Sequence, residues 1–92
     1  MTTTLRVVIS GRVQGVWYRA WTERRAKALG LHGWVRNRRD GSVEAVISGA
    51  PAVVETMLAA FWEGPDLAKV TAVEKHPHDE AVAPGFEVRP TA

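Results

Sequence analysis

The apolar residues of this 92-residue chain switch their spacing along its length, from every second residue to every third or fourth and back again. Leu5, Val7 and Ile9 alternate with Arg6, Val8 and Ser10, the period of a strand with one buried face. Gly11 interrupts that pattern, and Arg12 to Trp17 reads as a loop. From Tyr18 to Leu29 the period becomes helical, with Tyr18, Thr22, Ala26 and Leu29 forming a single stripe. Glu23 and Lys27 fall off that stripe in a favourable i, i+4 pair, and Gly30 supplies a left-handed stop. Two strand-like runs follow, His32–Asn37 and Ser42–Ser48, joined through Asp40-Gly41, a dipeptide suited to the positive φ of a tight hairpin. Pro51 fits the first turn of a second helix, whose stripe is Val54, Met57, Leu58 and Phe61 and whose end is Gly64-Pro65. A strand over Lys69–Lys75, a polar Pro/His loop and a last strand over Phe86–Arg89 complete the chain.

Strand, helix, strand, strand, helix, strand is the order of an α+β ferredoxin-like sandwich. The expectation is βαββαβ plus a short extra strand, an antiparallel sheet with two helices on one face and the other face open. A single domain, 1–92, is predicted; the length leaves no room for two. There is no cysteine, so disulfides and thiolate nucleophiles are excluded and stability must come from packing. The N-terminus has neither a basic leader nor a long apolar run, and stretches such as Val7-Val8-Ile9 are too short to cross a bilayer, so a cytoplasmic location without membrane contact is expected. A net charge of +2 is too small to argue for a nucleic-acid partner.

Two segments carry chemistry. In the first, Gly11 to Arg19, glycines bracket a loop that leads from a strand into a helix N-terminus. The amides of a first helical turn lack intrahelical partners and the helix dipole adds positive character, so the junction suits an anion. Gly15 permits close approach because no Cβ intervenes. Arg19, one step into the helix, can add a planar two-pronged clamp on phosphate oxygens. A plain loop with a solvated arginine fits this segment equally well. It is not a Walker A loop, since the Gly-Lys-Ser/Thr ending is missing. In the second segment, Gly33 to Glu44, Asn37 stands among arginines near the hairpin. Its amide can both donate to and accept from a water, and so orient one for attack; alternatively it caps the turn.

Taken together, the two segments resemble the acylphosphatase family. Gly11 to Arg19 meets the pattern Gly, any residue, Val-Gln-Gly-Val, any residue, Phe or Tyr, then Arg. Gly33 to Glu44 meets a second, Gly, aromatic, Val, any residue, Asn, then Asp-Gly and Val-Glu. The Gly64-Pro65 turn and the strand at Phe86 are also similar to the family. The resemblance implies hydrolysis of the carboxyl–phosphate bond of acyl phosphates, to a carboxylate and inorganic phosphate. It implies a phosphoryl group cradled by the amides of Gln14, Gly15, Val16, Trp17, Tyr18 and Arg19, bound by the Arg19 side chain, with Asn37 orienting the attacking water. No cofactor and no metal are expected, and the chain is expected to be a monomer. Trp17 stands where the family varies, and its bulk inside the loop bears on substrate access.

The remaining polar and aromatic groups have bland readings. His76-Pro77-His78, beside Asp79 and Glu80, is a solvated loop without a diagnostic fourth metal ligand. His32 is a partly buried structural residue. Trp34 and Trp62 are expected to pack and Trp21 to be partly exposed. A single-strand RNA reader of the same strand order needs aromatics on its first and third strands, where this chain has Leu5, Val7, Val8, Ile9 and Val43, Ala45, Val46, Ile47. A domain that binds the anion without turnover is the remaining alternative.

Overall fold

The expected elements form. The computed structural model describes residues 1–92 and runs β1 Thr3–Arg12, α1 Tyr18–Ala28, β2 His32–Asn37, β3 Val43–Gly49, α2 Pro51–Glu63, β4 Lys69–Pro77 and β5 Phe86–Val88. The sheet order is β4-β1-β3-β2-β5. β1 lies antiparallel between β3 and β4, and β2 is antiparallel to β3. β5 pairs parallel to β2, so the sheet is mixed rather than wholly antiparallel. The direction follows from topology: β4 finishes beside Leu5, the end of the sheet at which β2 begins, so a chain crossing there to the free edge of β2 must ascend alongside it.

Two strand ends run two residues past expectation. β1 does not stop at Gly11 but continues to Arg12 through a register shift between Ser10 and Gly11. Gly11 sits at φ 118° against the Lys69 carbonyl, where a Cβ would collide, so the glycine makes a bulge instead of a break. β4 runs on to Pro77 because Leu5 and Arg6 still offer ladder partners, which places His76 in the sheet and not in the loop. Gly33 has a similar role inside β2: at φ 140° it faces the Val46 carbonyl so closely that no side chain fits.

Val7, Ile9, Val35, Val43, Ala45 and Ile47 form the helix-facing side of the sheet and are fully buried, together with Tyr18 and Ala26 of α1 and Val54, Met57 and Phe61 of α2. The far face is less open than expected. Val8 and Val46 are buried there, and Glu44 is held between Arg6 (3.2 Å) and Arg36 (2.7 Å). The guanidinium groups of Arg36 and Arg89 each lie 4.7 Å from the centre of the Trp34 ring, which fixes that ring by cation–π contact. Trp62, expected to pack, is instead exposed, in a groove that α2 shares with Val73 and Lys75 of β4.

The two helices are joined by one buried hydrogen bond with a covalent cause. The carbonyl of Phe61 would accept from residue 65 in a continuing helix, but Pro65 has no N–H. The Tyr18 hydroxyl donates to that carbonyl instead, at 2.6 Å. Gly64, at φ 64°, leaves room for the Tyr18 ring, which a Cβ there would meet at 2.8 Å.

Tyr18→Phe should therefore lower stability by about 1–2 kcal/mol in urea denaturation, since it orphans a buried carbonyl. Burial pushes the Tyr18 hydroxyl pKa upward. A group protonated more tightly in the folded chain stabilises it fully below its unfolded pKa, near 10 for tyrosine, and less as pH climbs toward the raised folded value. The parent should lose stability above about pH 10 through this group, and that component should be missing from the pH titration of Tyr18→Phe.

Candidate active site

Between β1 and α1, Val13 and Val16 are buried in the core and pin the connecting loop, while Gly15 and Trp17 face outward. The backbone alternates in hand: Gly15 (φ 73°) and Trp17 (φ 71°) are left-handed, and Gln14, Val16 and Tyr18 are not. Such alternation turns successive N–H groups toward one concavity, an anion-binding nest. Consistent with this, no amide from Gln14 to Ala20 donates a hydrogen bond within the chain. The α1 N-terminus likewise has no capping side chain and no acidic residue in its first turn. Its dipole and free donors are thus left to a ligand.

Arg19 is half-buried and has no ion-pair or hydrogen-bond partner in the chain; Glu23, one turn on, pairs with Lys27 at 3.3 Å. Arg19 and Asn37 line one cleft of about 410 Å³ together with Gly15, Trp17, Glu23 and Val88. The Asn37 side-chain amide makes no hydrogen bond inside the chain, and its Oδ1 is buried and unpartnered. A buried amide oxygen with no partner in the chain is open to a donor from the cleft, a water or a ligand.

The hairpin explains why Asn37 is free. Asp40 supplies the turn's own cap, its Oδ1 accepting from the Ser42 hydroxyl (2.6 Å) and amide (2.9 Å), which hold the Asp40 carboxyl below the usual carboxylate range. Gly41, at φ 94°, completes the turn by donating to the Arg38 carbonyl. Asn37 is therefore not the hairpin cap. Its position is fixed through its backbone: it pairs with Val43 on β3, and its carbonyl accepts from the Ala92 amide at 3.1 Å.

Of the residues singled out from sequence, Gly15, Trp17, Tyr18, Arg19 and Asn37 reach the cleft. Gln14 and Val16 do not line it: the Val16 side chain is buried in the core and the Gln14 side chain reaches across to the hairpin. There the Gln14 Nε2 donates to the carbonyls of Arg38 (2.7 Å) and Ser42 (2.8 Å), tying the loop to the segment beside Asn37. Sequence reasoning missed this staple, and it missed Val88, which enters the cleft from the far end of the chain. A glutamine's partners leave no local signal, and Val88 reads only as the end of a strand. His32 is exposed, not partly buried, and its role is structural. Its Nδ1 accepts from the Gly85 amide at 2.8 Å, holding the approach to β5.

Known proteins are similar to this chain in sequence and in fold. A sequence model of the acylphosphatase family matches residues 5–88. The chain is 57% identical over 94 aligned residues to Acylphosphatase 2 of Ralstonia nicotianae, covering 99% of each chain. Among solved structures it is similar to an acylphosphatase from Coxiella burnetii, with a TM-score of 0.91 at 35% identity over 96% of this chain and 93% of that one. A Bacillus subtilis acylphosphatase gives a TM-score of 0.89 at 30% identity, covering 97% and 99%. With both motif segments inside the matched residues and the fold reproduced along nearly the full length, the chain belongs to the acylphosphatase family.

Proposed function

We propose that the chain hydrolyses acyl phosphates, with the 14–19 amides and Arg19 holding the phosphoryl group and Asn37 orienting the water that attacks it. The observation that carries this reading is a single coincidence: a run of undonated amides, an unpaired arginine and an unpartnered asparagine amide meet at one cleft. Water adds to phosphorus as the bond from phosphorus to the acyl oxygen breaks. The electron pair of that bond leaves with the carboxylate, and the water's proton passes to the phosphate product or to solvent.

The sparse machinery matches the substrate. A carboxylate is the conjugate base of an acid of pKa about 4, so it departs without a general acid at neutral pH. Phosphoryl transfer otherwise calls for positioning and stabilisation of charge on the equatorial oxygens. Amides in fixed orientation and a guanidinium fork provide both. A neutral asparagine can accept from the attacking water through Oδ1 without acting as a base. An unactivated phosphomonoester has a much poorer leaving group and should be turned over little.

The amides, Arg19 and Asn37 act on the phosphoryl group whatever acyl group it carries, so acetyl phosphate serves as a first substrate and inorganic phosphate as a product inhibitor. Arg19→Ala and Asn37→Ala should each lower kcat about 10²–10³-fold with the circular dichroism spectrum retained. Arg19→Lys should remain badly impaired, because a point charge does not reproduce the fork. A variant keeping most of its rate would remove that residue's role. Phosphate binding by the parent without turnover of any acyl phosphate would instead favour the non-hydrolytic domain. Gln14→Ala, which releases the loop from the hairpin while removing no reacting group, should lower kcat roughly tenfold or more through misalignment. Single-turnover kinetics would separate that loss from slower product release.

A further inference from the structure

The phosphate end of the cleft does not account for its other end. A volume of about 410 Å³ is within the range of small-molecule sites and far exceeds what a phosphoryl group's oxygens occupy. Besides Arg19, Asn37 and Glu23 the cleft is lined by Trp17 and Val88, and both are among the few large apolar side chains left exposed, at 55% and 40%. Trp17 is also the one residue other than glycine in the chain with positive φ, at 71°. A bulky side chain in that region is a conformational outlier, and such strain is usually held where the site uses it.

The Trp17 ring is also held in place. The Arg24 guanidinium lies 4.6 Å from its centre, within cation–π range, and Arg24 does not line the cleft. One face of the indole is therefore backed by a cation from α1 while the ring still presents itself to the cleft. Val88 reaches the same space from β5, an element separated from Trp17 by most of the chain but set at the sheet edge beside β2. A backed, oriented aromatic surface with an aliphatic neighbour, next to an anion cradle, fits a molecule with an anionic head and a flat or branched apolar body.

Resting on the proposed hydrolysis of acyl phosphates, we infer that the Trp17 and Val88 side chains form a platform for the acyl group, which makes the chain selective for acyl phosphates with bulky apolar acyl groups over acetyl phosphate. The Trp17 amide belongs to the phosphate nest and its indole to the leaving group, so a single residue serves both halves of the substrate. Val88 closes the platform from the opposite element. Neither side chain touches the reacting atoms; their effect is on which substrate is held.

The test uses pairs of ligands that differ only in the apolar part, so that any general damage to the cradle cancels in the ratio. Calorimetric affinities of benzylphosphonate and methylphosphonate read the platform without turnover. The parent should bind benzylphosphonate about tenfold more tightly, the scale of one aromatic contact plus partial burial of a ring. Trp17→Gly, which suits the left-handed backbone, should bring the ratio to near one. Trp17→Phe should keep most of it, and Val88→Ala should reduce it severalfold. A ratio near one in the parent, or one that survives in Trp17→Gly, overturns the platform. Turnover of benzoyl phosphate and acetyl phosphate is then measured separately: a parent that keeps the phosphonate ratio but hydrolyses neither substrate retains the platform and overturns the proposed function.

Discussion

Three residues in a row across the sheet set the geometry on which the rest depends. Ile9 near the end of β1 pairs with Val43 at the start of β3, and Val43 pairs in turn with Asn37 at the end of β2. Antiparallel pairing on both sides of Val43 places the end of β1 and the end of β2 at the same edge of the fold. The loop that follows β1 and the asparagine that closes β2 are thereby neighbours in space. A slip of one residue in either ladder would turn Val43 and Ile9, both fully buried, toward the far face. The core thus fixes the register, and the register fixes the cleft.

Rigid anchors lie directly beneath the undonated amides. Val13 and Val16 sink into the core on either side of Gly15, and Tyr18 is clamped by its hydroxyl to the end of α2. Gln14 reaches sideways to the hairpin. Leaving a helix start uncapped forgoes roughly 1 kcal/mol of local stability, and packing on all sides offsets it. Charge is managed separately on the far face, where Glu44 accepts from Arg6 and Arg36 and the Trp34 ring is covered by two guanidinium groups. Those contacts occupy the surface on which a related fold would stack bases.

Much of this was legible in the chain because it depends on local rules. Period-2 and period-3.6 stripes gave the sheet and both helices, Asp40-Gly41 gave the hairpin, and Pro51 and Gly64 gave the limits of α2. The glycine-bracketed loop and Asn37 were visible as candidates, and the family patterns joined them. What escaped depends on partners distant in sequence. Gly11 reads as an interruption until Lys69 lies beside it, and the direction of β5 is decided by where β4 ends. Trp62 falls near the apolar stripe of α2 and yet remains outside the core, one step round the helix from buried Phe61 and beside Val73 and Lys75 of the edge strand β4. No reading of Gln14 in isolation points to two carbonyls on another strand pair.

The alternation of backbone hand at Gly15 and Trp17 has a consequence for how such a site can diversify. A nest is specified by the signs of a few dihedral angles and not by what the side chains are. Val16 is committed to the core and Gln14 to the hairpin, but the side chain at position 17 projects outward and is free of both commitments. The loop thereby keeps two inheritances apart: a fixed grammar in the main chain and, at this one position, a replaceable word. Sequences can exchange that word for a larger or smaller one while the handedness that spells the cradle stays intact.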